Sequence, residues 1–438
     1  MMNTVSIPNN IHTISEVFEN RINNFPNTNE IKLTRSKAFQ IFNDLGFPLK
    51  SNEEYKYSSS EKLFKNEFSW QEENINLKDI DFESYRNLNN QVAHIFLVNG
   101  RLIIEESNFS IFNNQITICD IKTAVQKYPD LISHYYGSNS DEFNDAFAQL
   151  NTALATNGLF IHVASNKNIN IPIQINHICG STYNSVINIH HIIVAEKFSQ
   201  VNIIETFNSI HASKDYMLNM VAEVSVKENA FVNYYRLQNE NDKAIHINAT
   251  MVTQEAYSHF DTNTVTIGAK WLRNNLNIVL KGDQCETHLN GLQLIKGNQH
   301  VDNHTLVDHQ MPHCESNQLY KGILKDKSTG VFNGKIFVRK DAQKTNAYQS
   351  SKNMLLSDDA TMNTKPQLEI YADDVKCSHG SSTGQIDENA LFYLRARGLS
   401  TANAKQLLMF AFAADVIQTI KIEPYKIYLQ ELIEKCIE

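Results

Sequence analysis

Along the first 155 or so residues, apolar side chains recur at helical intervals. Ile14, Val17, Phe18, Ile22 and Phe25 share one face at i, i+3, i+4, i+8 and i+11, which predicts an amphipathic helix. A second stripe of Ile31, Ala38, Ile41, Phe42 and Leu45 predicts another helix. Gly46 follows as a left-handed cap and Pro48 prevents continuation. The pattern breaks between His94 and Ile104, where two short apolar runs flank Asn99-Gly100 and predict a hairpin. Helix resumes between Asp141 and Leu154, with Phe143, Ala146, Phe147, Leu150 and Leu154 along one side.

From about Gly158 the period changes to two and holds for more than about two hundred residues, as in Ile169–Ile175 and Val186–Val194. This is the mark of a long all-β region. A soft motif recurs within it, a charged or polar pair followed by a small residue at the start of a new strand: Lys197-Phe198-Ser199, Glu228-Asn229-Ala230, Asp326-Lys327-Ser328, Lys340-Asp341-Ala342 and Asp358-Asp359-Ala360. The small residues stand 31 (230−199), 14 (342−328) and 18 (360−342) positions apart, spacings that resemble one or two short coils of a solenoid. A β-helix accounts for them economically, because each coil buries its inward side chains on the next. Periodicity alone leaves an antiparallel sandwich or a propeller open, since Gly numbers only 15 and no repeat is strict; it does not give the hand of the coil.

After Gln385 the helical period returns. Asp387 can cap a helix carrying Leu391 and Leu394 and ending at Gly398, and Ser400 or Thr401 can cap the next. There Leu407, Leu408, Phe410, Ala411, Phe412 and Val416 leave little polar face, so that helix is expected to be buried. Pro424 opens a last helix, whose stripe of Tyr425, Tyr428, Leu429, Leu432, Ile433 and Cys436 suits packing, on its own domain or on a partner.

At 438 residues and 42% hydrophobic content the chain can bury a large core in two or three parts. A net charge of −9 without any basic run argues against nucleic acid or an anionic membrane as the main partner. Met1–Pro8 lacks the basic and apolar regions of a secretory leader, and the longest apolar stretch, Leu407–Ile417, is interrupted by Asp415 and is too short to span a bilayer. A non-membrane, cytoplasmic protein is expected. The six cysteines (Cys119, Cys179, Cys285, Cys314, Cys377 and Cys436) form no CxxC pair and fit reduced thiols better than a disulfide framework or a zinc knuckle.

No GxGxxG, GxSxG or HExxH occurs, and the one phosphate-loop look-alike, Gly330–Ile336, is a residue short and lacks the magnesium-binding hydroxyl. His300, His304, His309, His313 and Cys314 are a conceivable donor set for Fe or Zn, but alternate strand positions would put them on different faces. In Cys377-Ser378-His379 the thiol and imidazole, two residues apart on an extended segment, project to one face and could hold iron or a nascent cluster; a buried cysteine beside a satisfied histidine is the plainer reading. The doublets Asp358-Asp359 and Asp373-Asp374 would point to opposite faces, which suits solvated turns better than an acid/base pair.

Lys376–Gly380, Gly384–Glu388 and Ala390–Gly398 closely resemble the C-terminal signature of the SufB/SufD family of iron–sulfur cluster assembly subunits, and of its SufD branch in particular. Phe332–Ile336, Thr345–Gln349 and Pro366–Ile370 follow the same family in the same order, as do Gly46-Phe47-Pro48, Asn52–Tyr57, Leu150–Ala153 and Gly158–His162 nearer the front. The resemblance implies a mainly β fold, with a right-handed parallel β-helix core flanked by helical N-terminal and C-terminal domains. The divisions would be a mainly helical domain at 1–155 with a short hairpin near 94–104, the core at 156–384, and a helical SufC-binding domain at 385–438. It further implies a non-catalytic scaffold that pairs with SufB, docks the SufC ATPase and binds no cofactor tightly, meeting Fe or a nascent Fe–S cluster only transiently in the complex; alone, the chain could form a homodimer. By match, Cys377 and His379 fall at the cluster-assembly interface as possible metal ligands, and Tyr425, Tyr428, Leu429, Leu432 and Ile433 at the SufC contact. Two departures separate the chain from SufB: Ala360 stands where SufB aligns its sulfur-carrying cysteine, and the first cysteine is Cys119, so an N-terminal cysteine cluster is missing. The alternatives are the SufB paralogue itself, against which Ala360 speaks, and an exported carbohydrate-active β-helix enzyme, against which the missing leader speaks.

Overall fold

Helix begins where the apolar stripes begin. The computed structural model describes residues 8–65, 67–112, 115–138, 145–210 and 214–437; the expectations for Met1–Ile7, and for Asp141 and Phe143, lie outside the described residues. Helix α1 (Pro8–Asn24) buries Ile14, Phe18 and Ile22, and α2 (Asn29–Leu45) buries Ile31, Ala38 and Phe42. Thr28 caps α2 through its hydroxyl, and Gly46 ends it at φ 64°. Leu45 is exposed, and Arg35 takes a place on the buried face instead, its Nε donating to the Ala153 carbonyl at 3.0 Å. Arg21 donates to the next carbonyl, that of Leu154, at 2.8 Å. Both cations thus meet the C-terminus of α5 (Ala146–Leu154), where unpaired carbonyls and the helix dipole favour positive charge.

The hairpin forms as expected, β1 (Ala93–Val98) and β2 (Arg101–Ile103) turning through Asn99 and Gly100, both at positive φ. It does not stand alone. Strand β1 lies parallel beside β5 (Ile173–Cys179), and β3 (Ile116–Asp120) lies antiparallel to β4 (Leu159–Val163), so these strands extend the sheets of the solenoid that follows. Two short helices, α3 (Ile121–Lys127) and α4 (Pro129–Tyr135), follow β3.

From residue 159 the chain alternates between two sheets. One holds β4, β6 (Ser185–Ala195), β8 (Tyr216–Val226), β10 (Ala244–Gln254), β12 (Trp271–Leu280), β14 (His300–His309), β16 (Thr329–Val338) and β18 (Thr361–Ile370). The other holds β5, β7 (Gln200–Ser209), β9 (Phe231–Asn239), β11 (His259–Thr266), β13 (Glu286–Ile295), β15 (Glu315–Leu324), β17 (Asn346–Leu355) and β19 (Lys376–Gly384). Each strand pairs in parallel with its counterpart one coil on, which makes a β-helix of about eight coils. One corner is turned by residues at positive φ, namely Asn166, Phe198, Asn229, Tyr257, Gln284, His313 and Lys344. The opposite corner carries Asp326 and Gly297, also at positive φ. The spacing of 31 is therefore one full coil, and 14 and 18 are its two unequal halves, so the coils are broad and flattened rather than short.

The lumen is packed with Ile161, Ile193, Ile203, Val224, Val252, Phe260, Ile278 and Val307. The outer faces are apolar too, and each is covered by helices. Helices α1, α2 and α5 pack on the even-numbered sheet at Val186, Met217, Ile245 and Ile247. At the other end of the sequence come α6 (Glu388–Ala396), α7 (Thr401–Ile417) and α8 (Glu423–Ile437). Of these, α7 and α8 pack on the odd-numbered sheet at Tyr235, Leu237, Val265, Leu292 and Ile323. Two covered faces explain why every residue of β6, polar Asn188, His190 and His191 included, is buried. Among the described residues no helix is long and apolar enough to cross a membrane.

Candidate functional site

Among the described residues nothing covers the edge of the last coil. Strands β18 and β19 stand at the ends of their sheets, each paired on one side only, and β19 is exposed at every position except Cys377. An edge strand of this kind offers a row of unpaired backbone donors and acceptors, and β19 carries a single charge, Lys376, to discourage pairing. Pro366 sits in β18, where the missing N–H is tolerated because the strand is an edge.

Register places the sequence-predicted pair. In-register neighbours of parallel strands point the same way. Cys377 lies beside Ala347 and His379 beside Gln349, both of which are buried and face the lumen. Cys377, His379, Ser381 and Thr383 therefore line one side of the open mouth. Met362, Thr364, Pro366 and Leu368 line the other, in register with Gly330, Phe332, Gly334 and Ile336. Cys377 packs half-buried against the cluster of Ile336, Val338 and Ala347, and that burial pushes its thiol pKa up. His379 is exposed. Beneath it, Gln349 Nε2 donates to Gln318 Oε1 at 3.3 Å, leaving Gln349 Oε1 a buried acceptor without a partner. The mouth thus presents a thiol and an imidazole, donors of the kind a soft or borderline metal ion takes, above an orphaned amide oxygen.

The five-residue histidine and cysteine stretch does not converge. His300 stacks on Trp271 and meets Ser58 Oγ at 2.7 Å, and His304 lies between Asp302 (2.9 Å) and Glu54 (3.3 Å), both outside the lumen. His309 points inward and bonds Ser316 Oγ at 2.9 Å, His313 is an exposed corner residue, and Cys314 is buried. Gly330–Ile336 lies within strand β16 with no helix after it, so it cannot cradle phosphate.

A different cluster was invisible in the sequence. His177, His191 and Glu205, from three strands, bring their donor atoms within 4.8 Å of one another inside the lumen. Hydrogen bonding argues against a metal there. The Leu159 N–H donates to His191 Nδ1 at 3.0 Å, so the neutral ring carries its proton on Nε2, facing Glu205 at 3.6 Å, and has no lone pair to offer. Arg236 occupies the other carboxylate oxygen at 2.8 and 3.1 Å. Burial alone would raise Glu205, yet Arg236 and the imidazoles hold it well below the usual carboxylate range. Burial pushes His191 down to about 3 and lowers His177 as well. The group is a buried, hydrogen-bonded charge hub.

The C-terminal stripe is divided. Tyr425, Leu429 and Ile433 are buried in the chain's own core against the odd-numbered sheet, and Tyr428 and Leu432 are half-buried beside them. Tyr428 Oη accepts from Asn87 Nδ2 at 3.1 Å. The apolar surface left free on these helices lies elsewhere, at Phe392 (74% exposed), Tyr393, Leu407 and Ile427.

Comparison with known proteins supplies a frame for this geometry. Residues 177–412 match the family described as SUF system FeS cluster assembly, SufBD core domain, and residues 15–175 match the SufBD protein N-terminal region. An iron–sulfur cluster assembly SufBD family protein of Synechocystis is 30% identical over 414 residues, covering 92% of this chain and 89% of that one. The iron–sulfur cluster assembly protein SufD of Escherichia coli is 30% identical over 390 residues, 87% of each chain. SufD of Bacillus subtilis is 29% identical over 326 residues, 73% of this chain and 74% of that one.

Proposed function

The chain belongs to the SufBD family of the SUF iron–sulfur cluster assembly system, and from that premise we propose that it is a SufD-type, non-catalytic scaffold subunit. Its β-helix mouth pairs with SufB, its C-terminal segment from residue 385 docks the SufC ATPase, and Fe or a nascent cluster is cargo held transiently where Cys377 and His379 meet the partner. The observation that carries this reading is the uncapped last coil. A lumen end lined by Met362, Leu368, Cys377 and His379 and flanked by two free edges is a surface that association would cover. Ala360, small and buried where SufB aligns a sulfur-carrying cysteine, favours SufD over SufB. The family match gives no support to a carbohydrate-active enzyme. A second copy of the chain fits the same edges when SufB is absent.

On this reading SufC approaches the exposed side of the C-terminal helices, around Phe392, Leu407 and Ile427, because Tyr425, Leu429 and Ile433 are already occupied in holding α8. Dimerisation of SufC on ATP would then pull on a rigidly docked lever and displace the mouth. The test is co-expression with SufB and SufC, affinity purification and native mass spectrometry. A complex holding both partners is expected, SufC being lost when residues after Gln385 are removed. A chain that ignores both partners refutes the scaffold reading. Within an intact complex, His379→Ala is expected to abolish or strongly slow cluster formation; unchanged formation would remove His379 from the site.

A further inference from the structure

Two cysteines lie together away from the open end. Cys285 and Cys314 occupy the same place on successive coils, each directly after a corner residue at positive φ (Gln284 and His313) and directly before a paired strand residue (Glu286 and Glu315). Ser199, Ala230, Ser258 and Thr345 fill that column on other coils, all buried. The column as such needs only a small residue; what distinguishes these two coils is a pair of thiols stacked one on the other.

The backbone sets their separation. The Glu315 N–H donates to the Cys285 carbonyl at 2.8 Å, so the two coils are directly bonded at this point. Adjacent strands lie about 4.8 Å apart, inside the window of roughly 4.4–6.8 Å between Cα atoms that a disulfide takes. Both sulfurs turn toward one acceptor, the Gly282 carbonyl, at 3.2 Å from Cys285 and 3.3 Å from Cys314. The Ser258 hydroxyl approaches the Cys285 sulfur to 3.8 Å. The neighbouring Cys314 thiol lowers the pKa of Cys285, and the same contact, with burial, raises that of Cys314. The lowered member of the pair suits the attacking role and the raised one the resolving role. Both sit one residue inward of solvent-facing turns, where Met311 is 39% exposed.

We propose that Cys285 and Cys314 form a redox site, a dithiol that hydrogen peroxide oxidises to a disulfide joining two coils. The Cys285 sulfur attacks one peroxide oxygen and the O–O bond breaks. The departing hydroxide takes up the thiol proton as water, and Cys285 becomes a sulfenic acid. The Cys314 sulfur then attacks the Cys285 sulfur, the S–S bond forms, the S–O bond breaks, and the second hydroxide leaves with the Cys314 proton as water. Two thiols lose two electrons and one peroxide gains them; a dithiol reductant reverses the change.

The test uses the full chain, purified reduced, freed of reductant, exposed to a few equivalents of hydrogen peroxide, denatured in N-ethylmaleimide and digested for mass spectrometry. The expected result is a peptide pair joined through Cys285 and Cys314, loss of both from the alkylated pool, and recovery of both after dithiothreitol. Cys285→Ser and Cys314→Ser should each abolish the joined pair, and serine suits the column because Ser258 already occupies it. Recovery of both thiols alkylated while Cys377 or Cys436 is oxidised overturns the proposal, as does a sulfinic acid without a link or a link to another cysteine. Should either variant fail to fold, the unaltered chain decides the matter alone.

Discussion

Single residues in the lumen set how the protein answers acid. Burial pushes His191 from 6.5 down to about 3 and His309 from 6.5 down to about 4. Both rings are therefore neutral in the fold, whereas the unfolded chain takes up their protons near pH 6.5. Their contribution is complete above that pH and is lost as pH falls toward 4 and then 3, because the unfolded state binds more protons. At pH 5.5 each costs about 1 to 2 kcal/mol relative to pH 7.5. The urea midpoint is expected to fall between those pH values, and His309→Asn to flatten the slope; a midpoint indifferent to pH in this range would contradict the assignment. Residue-level legibility followed distance along the chain. The shared face of Cys377 and His379 could be read because they stand two positions apart on one strand, whereas His177, His191 and Glu205 converge from three strands whose register no local pattern reveals.

Among the elements, α5 and α8 show how a helix is fixed to a sheet. Asn151 of α5 donates to the carbonyls of Ile189 and Asn219 at 3.0 and 2.8 Å, which explains why an amide stands in a helix buried along its whole length. Leu429 of α8 is fully buried between the odd-numbered sheet and the other C-terminal helices. Leu429→Ala is expected to cost about 2 to 5 kcal/mol. The loss should be felt locally, as faster proteolysis beyond residue 385 while the solenoid remains resistant; uniform resistance would mean that α8 is held some other way. Helix positions and caps at Gly46, Asp387 and Ser400 were legible because capping is local chemistry, whereas the Thr28 cap emerged only in the fold. The stripe from Tyr425 to Cys436 was legible as apolar, but not as belonging to this chain's own core, since a stripe is the same whether its cover is internal or foreign. The hairpin was read correctly as a hairpin and not as the first rung of a sheet, for pairing with β5 is set by residues some eighty positions away.

For the whole molecule the decisive feature is that the sheets stop rather than close. Exposed lysines added to β19, as in the double variant Ser378→Lys/Ser382→Lys, place charge along the free edge without touching the core, since both serines are exposed and alternate with the lumen-facing positions. Thermal stability is expected to change little, while association through this end, with SufB or with a second copy, weakens at least tenfold by sedimentation or native mass spectrometry. Undiminished association would place the interface elsewhere. The all-β core was legible from its period, but the spacings of 31, 14 and 18 suggested one or two short coils and resolved into one broad coil and its two unequal halves only in the fold.

A stack of coils also has an energetic order. Each coil is stabilised by its two neighbours, so a coil with one neighbour opens more often than one in the middle. Amide hydrogens of β18 and β19 should therefore exchange with solvent deuterium soonest and those of β10 and β12 latest, a gradient running along the axis. The end that greets a partner is then the loosest part of the column, and binding there would be felt first as a slowing of its exchange.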